Sequence, residues 1–478
     1  SVGGGPRLKM EKTAKVLVTM LTSIVFVWLA ATSPIQGQVL AIALLALVLW
    51  SLHPSWHLPS SILIIVLLAV FQASFSPAEF FRSLLSTYGE SGLWIIISGF
   101  ILSEGMKASG LARRIALWVV TALGGDPDWI FLSVALANLA VAPIFPSTTA
   151  KAFLLLPICG GLIEAFAAEK GRSRYGAGVM IMSMAANNIC STGFLTATVP
   201  NSISASYINE AANVDLGWFE WLKMSFPMTL ILLASSWLVC RWFFRPEIDK
   251  TSETLKRIGN LRERLGPFSR AEFFVALIFS ISLLLWITEG VHGLNSGLIS
   301  LALSLLLFLP RIGVMKVGGF VGGVPWGSIA LFASSMFLAN AVGRWKALDP
   351  VAFSIFKLFD LSSLSLAVYL AIVVFVAMFL HVAFTSTTVY ATVVVPLSIS
   401  LARLQGLEPQ LVAIPVAFLT PIALILPVNT IPNIVFYSSG YFNQKQMTMY
   451  GVVMSIVSAF LTLMVGLPYW RFLGLVRF

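Results

Sequence analysis

The most constraining feature of this chain is a hydroxyl-rich knot, Phe145-Pro146-Ser147-Thr148-Thr149-Ala150-Lys151, set between two apolar arms. Each arm has only about 15 residues, too few at 1.5 Å per residue to cross a hydrocarbon core roughly 30 Å thick. Residues 130–166 therefore read as a re-entrant hairpin, tolerated only where protein or a water-filled cavity surrounds its tip. A near copy, Phe384-Thr385-Ser386-Thr387-Thr388, stands 239 residues later, and Pro157 and Pro396 follow the two knots at equal distance. The copy predicts a second hairpin over residues 363–404.

The surroundings of the hairpins are a bilayer. The chain is 58% hydrophobic and 10% charged, whereas soluble domains are roughly 25% charged. Many windows exceed the roughly 18 apolar residues of a spanning helix, and nothing alternates as a lipid-facing barrel strand does. The expected fold is an all-α polytopic membrane protein. A net charge of +10 does not indicate nucleic acid, because the basic residues lie in short loops beside apolar spans, the pattern that sets topology. Cys159, Cys190 and Cys240 lie in apolar segments without ligand spacing, so neither a disulfide framework nor a metal site is expected. Ser1 to Lys9, ahead of Met10, read as a cloning remnant. The first apolar run, residues 15–32, lacks a small-residue cleavage site and reads as a retained span.

Further spans are expected over residues 35–52 and 58–74. The long stretch from Gly92 turns basic at Lys107, Arg113 and Arg114, which predicts a span followed by an interfacial helix with its arginines at head-group level. Within it, Glu104 and Lys107 are one turn apart and are expected to pair. After the basic loop Lys170, Arg172 and Arg174 comes a span over residues 175–207, interrupted by Asn187-Asn188 and by Ser191-Thr192-Gly193 through Pro200-Asn201. Polar groups, Gly and Pro at this depth indicate a broken helix. A span over residues 221–244 leads to a polar segment, residues 245–270, carrying Lys250, Lys256, Arg257, Arg262 and Arg264. The order then repeats: spans from Glu272 and Gly293, a stretch from Trp326, the second hairpin, a second broken helix over residues 411–441 and a last span over 447–467. The total is about 11 transmembrane helices, and five crossings plus a hairpin per repeat make the two copies inverted. With the N-terminus cytoplasmic, the basic loops fall inside and Glu210, Asp215 and Glu220 outside, with Arg403 an exception. The expected location is a bacterial inner membrane.

Inverted hairpins bring their tips together near the midplane. Each tip starts a helix, so free N–H groups and the positive dipole end face a shared cavity. Ser147 and Ser386 are placed as caps, and Thr148, Thr149, Thr387 and Thr388 add hydroxyl donors suited to an anion. Lys151 follows one tip and His381 precedes the other; their counterparts are Tyr390 and Ala142. Intramembrane ionisable groups are functional candidates. His53, His57 and His292 fall at loop edges and are expected to do nothing specific. There is no His-Glu-x-x-His, no Asp pair within a span and no carboxylate near His381 in sequence, so no enzyme is expected. An anion channel is the rival class, but a channel has no need of two inverted hairpins around a closed site.

These residues resemble the divalent anion/sodium symporter family of dicarboxylate, citrate and sulfate transporters. That family carries Ser-Asn-Thr at both hairpin tips and a Thr-Pro-Pro-Asn type break in each discontinuous helix. Leu426-Pro427-Val428-Asn429-Thr430-Ile431-Pro432-Asn433 resembles the second break, and Ala197-Thr198-Val199-Pro200-Asn201 is a looser first one. The resemblance implies that Thr198, Pro200, Asn201, Thr430, Pro432 and Asn433 join the tip residues in binding substrate. It implies a mobile transport domain (residues 128–245 and 363–478) working against a scaffold (10–127 and 246–362) in a homodimer, by an elevator movement. In exchange-type members basic side chains stand where symporters bind sodium, and Lys151 and His381 resemble that arrangement. Obligate exchange of a small di- or tricarboxylate is therefore expected, without cofactor or metal. The alternative is symport, with sodium near Ser147, Thr149, Gly193, Ser386, Thr388 and Asn429. The chain departs from the family at Thr148 and Thr387, where the signatures carry Asn.

Overall fold

The computed structural model describes residues 6–53, 56–73, 77–89, 91–122, 126–247, 260, 263, 265–310, 313–316, 318, 321–322 and 326–477, and every regular element among them is helical. Residues 1–5 of the expected remnant, and Lys250, Lys256, Arg257, Arg262, Arg264 and Arg311 of the basic loops, lie outside these.

Three apolar helices come first: α1 (Pro6–Thr32), α2 (Ile35–Leu52) and α3 (His57–Ala73). Leu17, Leu21, Ile24 and Trp28 of α1 are exposed, as suits a surface solvated by lipid. The amphipathic α4 (Pro77–Gly89) leads to α5 (Ser91–Ser109), which turns through 73° into α6 (Leu111–Ala122). The turn is made at Gly110, whose φ of +82° is the left-handed conformation that ends helices and favours glycine. The expected span plus lateral helix is thus present.

The first hairpin consists of α7 (Pro127–Val141), a 3₁₀ turn (Ala142–Ile144) and α8 (Thr148–Ala165). The first broken helix is α9 (Arg174–Thr192) and α10 (Val199–Ala212), followed by α11 (Trp218–Phe243). The second half runs α12 (Arg270–Ile287), α13 (Ser296–Leu305), α14 (Trp326–Trp345) and the short α15 (Asp349–Leu358). Then come α16 (Leu366–Leu380), the turn His381–Ala383 and α17 (Thr387–Leu404), which form the second hairpin. The second broken helix is α18 (Pro409–Leu419) and α19 (Ile431–Ser438). α20 (Gln444–Leu461) continues through a π turn (Thr462–Gly466) into α21 (Leu467–Phe472), longer than the expected last span. Among the described residues, seven helices are long and apolar enough to cross a bilayer, and the bent pair of α5 and α6 makes up to eight. The expected total of about 11 also counts the broken helices and the shorter apolar ones as crossings.

The breaks sit where lipid is excluded. Every residue of α9 from Tyr175 to Thr192 is buried, polar Ser183, Asn187, Asn188 and Ser191 included. α7, α8 and α11 pack around α9, so its polar groups meet protein and not hydrocarbon. On the other side, Gly451 of α20 lies so close to the second break that an added Cβ would come within 2.3 Å of the Leu424 carbonyl oxygen.

Arg114 corrects the expectation of head-group arginines. Arg113 is exposed, but Arg114 is buried and pairs with Glu272 at the start of α12 (Nε to Oε1 2.6 Å, Nη2 to Oε2 3.1 Å). Its guanidinium also donates to the carbonyls of Leu265, Gly266 and Pro267. This fastens the lateral helix of one half to the first span of the other. Glu104 and Lys107 pair as expected, at 2.5 Å. Breaking a buried pair leaves an uncompensated charge, at a cost of roughly 3–5 kcal/mol. Arg114→Met is therefore expected to lower the thermal unfolding temperature in detergent more than Arg114→Met combined with Glu272→Met; an equal loss would assign the stability to the carbonyl contacts alone.

Candidate functional site

Both tips are built as helix starts. Ser147 has extended backbone angles and its Oγ accepts from the Ala150 N–H (3.2 Å). Ser386 repeats this with the Val389 N–H (3.4 Å). Each therefore caps the helix whose first residue is the following threonine, as the sequence predicts. The breaks supply two more starts. Thr198 precedes α10 and Thr430 precedes α19, both extended, with Pro200 and Pro432 in the first turn. Proline fits there because its missing N–H is one that a first turn cannot pair. The Thr430 hydroxyl accepts from the Asn433 N–H (3.3 Å).

All four starts meet at one cavity of ≈ 190 Å³. Ser147, Thr148, Thr149, Thr198, Ser386, Thr387, Thr388, Thr430 and Pro432 line it, together with Pro146, Val199, Thr385 and Ile431. The remaining wall comes from outside the hairpins and breaks: His57 of α3, Phe100 of α5, and Ser328 and Leu331 of α14. Sequence reasoning missed this wall and set His57 aside. Nothing local marks such residues, because their place depends on which distant helices converge. The two other histidines are locally engaged: His53 Nε2 faces Thr19 Oγ1, and His292 Nε2 faces the Leu285 carbonyl.

The asparagines and Pro200 lie elsewhere. Asn201 is buried and its amide donates to the carbonyls of Ser191 (2.7 Å) and Phe194 (2.9 Å). Asn433 donates to Ala423 (2.7 Å) and Leu426 (3.2 Å), the same offsets of ten and seven residues, and its Oδ1 accepts from Asn188. Asn429 ties the second break to the second hairpin through the carbonyls of His381 (2.8 Å) and Phe384 (3.0 Å). Pro200, Asn201, Asn429 and Asn433 are not among the lining residues; the three asparagines hold the opened backbone. Gly193 ends α9 against Thr229.

Lys151 and His381 are also set behind the tips. Lys151 is fully buried; its Nζ hydrogen-bonds Ser191 Oγ and lies 3.5 Å from the Asn187 carbonyl, at the C-terminal end of α9. Asn187 in turn donates to the Thr148 carbonyl of the tip (2.9 Å). His381 places Nε2 2.9 Å from the carbonyl of Thr420, which ends α18, and Nδ1 3.0 Å from that of Met378. Its ring stacks on Tyr390 (centroids 3.9 Å, 15°), the counterpart of Lys151. Each base therefore faces the carbonyl end of a half-helix, where a positive charge is favoured.

Residues 10–476, nearly the whole chain, match the family described as the sodium:sulfate symporter transmembrane region. The chain belongs to that family. Like the other members of the sodium:sulfate symporter family it resembles, it is a membrane transporter and not an enzyme. A membrane protein of Cupriavidus necator is 26% identical over 92% of this chain and 89% of its own length. The citrate/succinate antiporter of Escherichia coli is 24% identical over 80% of this chain and 79% of its own. The sodium-dependent dicarboxylate transporter SdcS of Staphylococcus aureus is 26% identical over 80% and 76%. MtrF of Neisseria gonorrhoeae shares the fold, with a TM-score of 0.56 at 13% identity over 82% of this chain and 85% of that one.

The geometry separates two kinds of residue. Removing the Asn433 amide strands buried carbonyls, at about 1–3 kcal/mol for each group left unpaired, whereas losing a Ser cap costs about 1 kcal/mol. Asn433→Ala is expected to lower the melting temperature more than Ser386→Ala, and Ser386→Ala to weaken anion binding more than its small stability loss implies. Titrating both purified variants with a dicarboxylate while following melting checks this.

Proposed function

We propose that the protein exchanges small di- or tricarboxylate anions across a bacterial inner membrane, as a secondary active transporter. The observation that carries the reading is the convergence of four helix N-termini on one cavity lined by nine serine and threonine residues of the tips and breaks. Each terminus brings unpaired N–H groups and about half a positive charge, so the cavity suits a compact anion without any metal.

Exchange is favoured over sodium symport by what stands behind the tips. Lys151 and His381 fill the pseudo-symmetric places between each tip and the carbonyl end of its broken helix. Both ring nitrogens of His381 face carbonyl oxygens, which only accept; the imidazolium form satisfies both. With both bases protonated, as this reading requires, sodium has nothing left to neutralise there. A carrier whose charges never leave needs its substrate to reset, and that gives exchange. The citrate/succinate antiporter and the sodium-dependent dicarboxylate transporter, both relatives, represent the two alternatives. Thr148 and Thr387 replace the family's Asn with a shorter side chain, which leaves more room between the tips.

In the same reading the hairpins, broken helices, α11 and α20 move as a transport domain against a scaffold of residues 10–127 and 246–362. Two such chains form a dimer, with the N-terminus cytoplasmic and the repeats inverted.

Reconstituted protein is expected to take up labelled succinate or citrate only into vesicles preloaded with a dicarboxylate, with no stimulation by sodium. Uptake into empty vesicles driven by a sodium gradient alone sinks the exchange reading. Hydrogen bonds to a charged group contribute roughly 1.5–3 kcal/mol, so Lys151→Ala and His381→Ala should each slow counterflow by about tenfold or more, or make it sodium-dependent. Unchanged, sodium-independent counterflow in both variants argues against the fixed-cation role.

A further inference from the structure

The cavity's lining residues are neutral with one exception, His57. The tips and breaks offer only hydroxyls and backbone N–H groups, and Phe100, Ser328 and Leu331 add no charge. Lys151 and His381 are sealed behind the tips, with 0% and 2% of their surface exposed. A dicarboxylate held here therefore meets a single side chain able to carry a full positive charge.

The ring of His57 is oriented by the fold. Its Nε2 lies 3.0 Å from the carbonyl of Trp50, the last full turn of α2, so Nε2 is the donor. Its Cβ is held against α14, where Gly327 leaves room: a Cβ at Gly327 would lie 3.3 Å from it. Nδ1 has no hydrogen-bond partner among the described residues. With Nε2–H committed, neutral His57 offers a lone pair at Nδ1, which a carboxylate does not accept, whereas the imidazolium offers an N–H.

From this geometry we propose that His57 is a substrate-binding residue: as imidazolium it donates Nδ1–H to a carboxylate of the anion held at the hairpin tips, so that anion binding takes up a proton. The inference rests on the anion reading of the cavity. It adds a contact from α3, outside the hairpins and breaks. In an elevator such a contact belongs to one end of the movement alone, so the anion is held more tightly, and more pH-dependently, on one face of the membrane.

The other charges near His57 do not supply this response. On α2 there is none, and His53 just beyond it faces Thr19 and Trp56. On α14 the first is Arg344, at the helix end away from Gly327. The described charge on α4 is Arg82, and α4 follows the far end of α3. At the tips there is none.

The test is calorimetric titration of the purified full chain with fumarate, which stays fully ionised over the range, at pH 6, 7 and 8 in two buffers of different ionisation heat. Above the usual imidazole pKa the protonated fraction falls about tenfold per pH unit. Wild-type affinity is expected to fall accordingly between pH 7 and 8, with uptake approaching one proton per anion. His57→Gln, whose amide can still donate to the Trp50 carbonyl, should bind weakly at every pH and take up no proton. His57→Lys should bind with little pH dependence and serves if the glutamine variant does not fold. Proton uptake and slope unchanged in either variant overturn the inference, since the response would then belong to another group such as His381. Absence of fumarate, succinate and citrate binding by wild type at every pH overturns the anion reading itself.

Discussion

The structure depends on how opened backbone is satisfied at membrane depth. A carbonyl left without a partner in hydrocarbon costs several kcal/mol, and each broken helix opens several at once. Asn201 and Asn433 solve this identically, one amide closing two carbonyls at offsets of ten and seven residues. Only because those ends are held can the following turns start anew and leave their own N–H groups facing the cavity. The site is thus a by-product of stabilised breaks, and its donors include backbone N–H groups beside the serine and threonine hydroxyls.

The two halves use the same devices with different residues. Where one half sets a lysine between tip and break, the other sets a histidine stacked on a tyrosine. Asn187 reaches from the first break to the first tip, and Asn429 from the second break to the second hairpin. Each tip is therefore fastened to its neighbouring broken helix by a side-chain amide.

The hairpins, breaks and caps were legible in the sequence because their signals are local: arm length, Ser at a helix start, Pro in a first turn, Gly at a bend. The direction of the buried side chains was not. The Pro-Asn pairs mark a break, but nothing in the residues says that the amides turn back onto carbonyls and away from the cavity. Arg114 looked like an interfacial arginine because its partner, Glu272, is 158 positions away. His57 looked idle for the same reason, since α14 begins 269 residues after it. In each case the missing information was tertiary, a meeting of distant helices that short-range pattern does not encode.

The helices ahead of the two hairpins, α6 and α15, are held unequally. α6 is anchored by five hydrogen bonds from Arg114 and buries six of its residues, whereas α15 buries only Ala352. The chain thus enters its first hairpin from a clamped helix and its second from a loosely held one, so the two halves, alike in their breaks and caps, differ in how firmly each hairpin is moored.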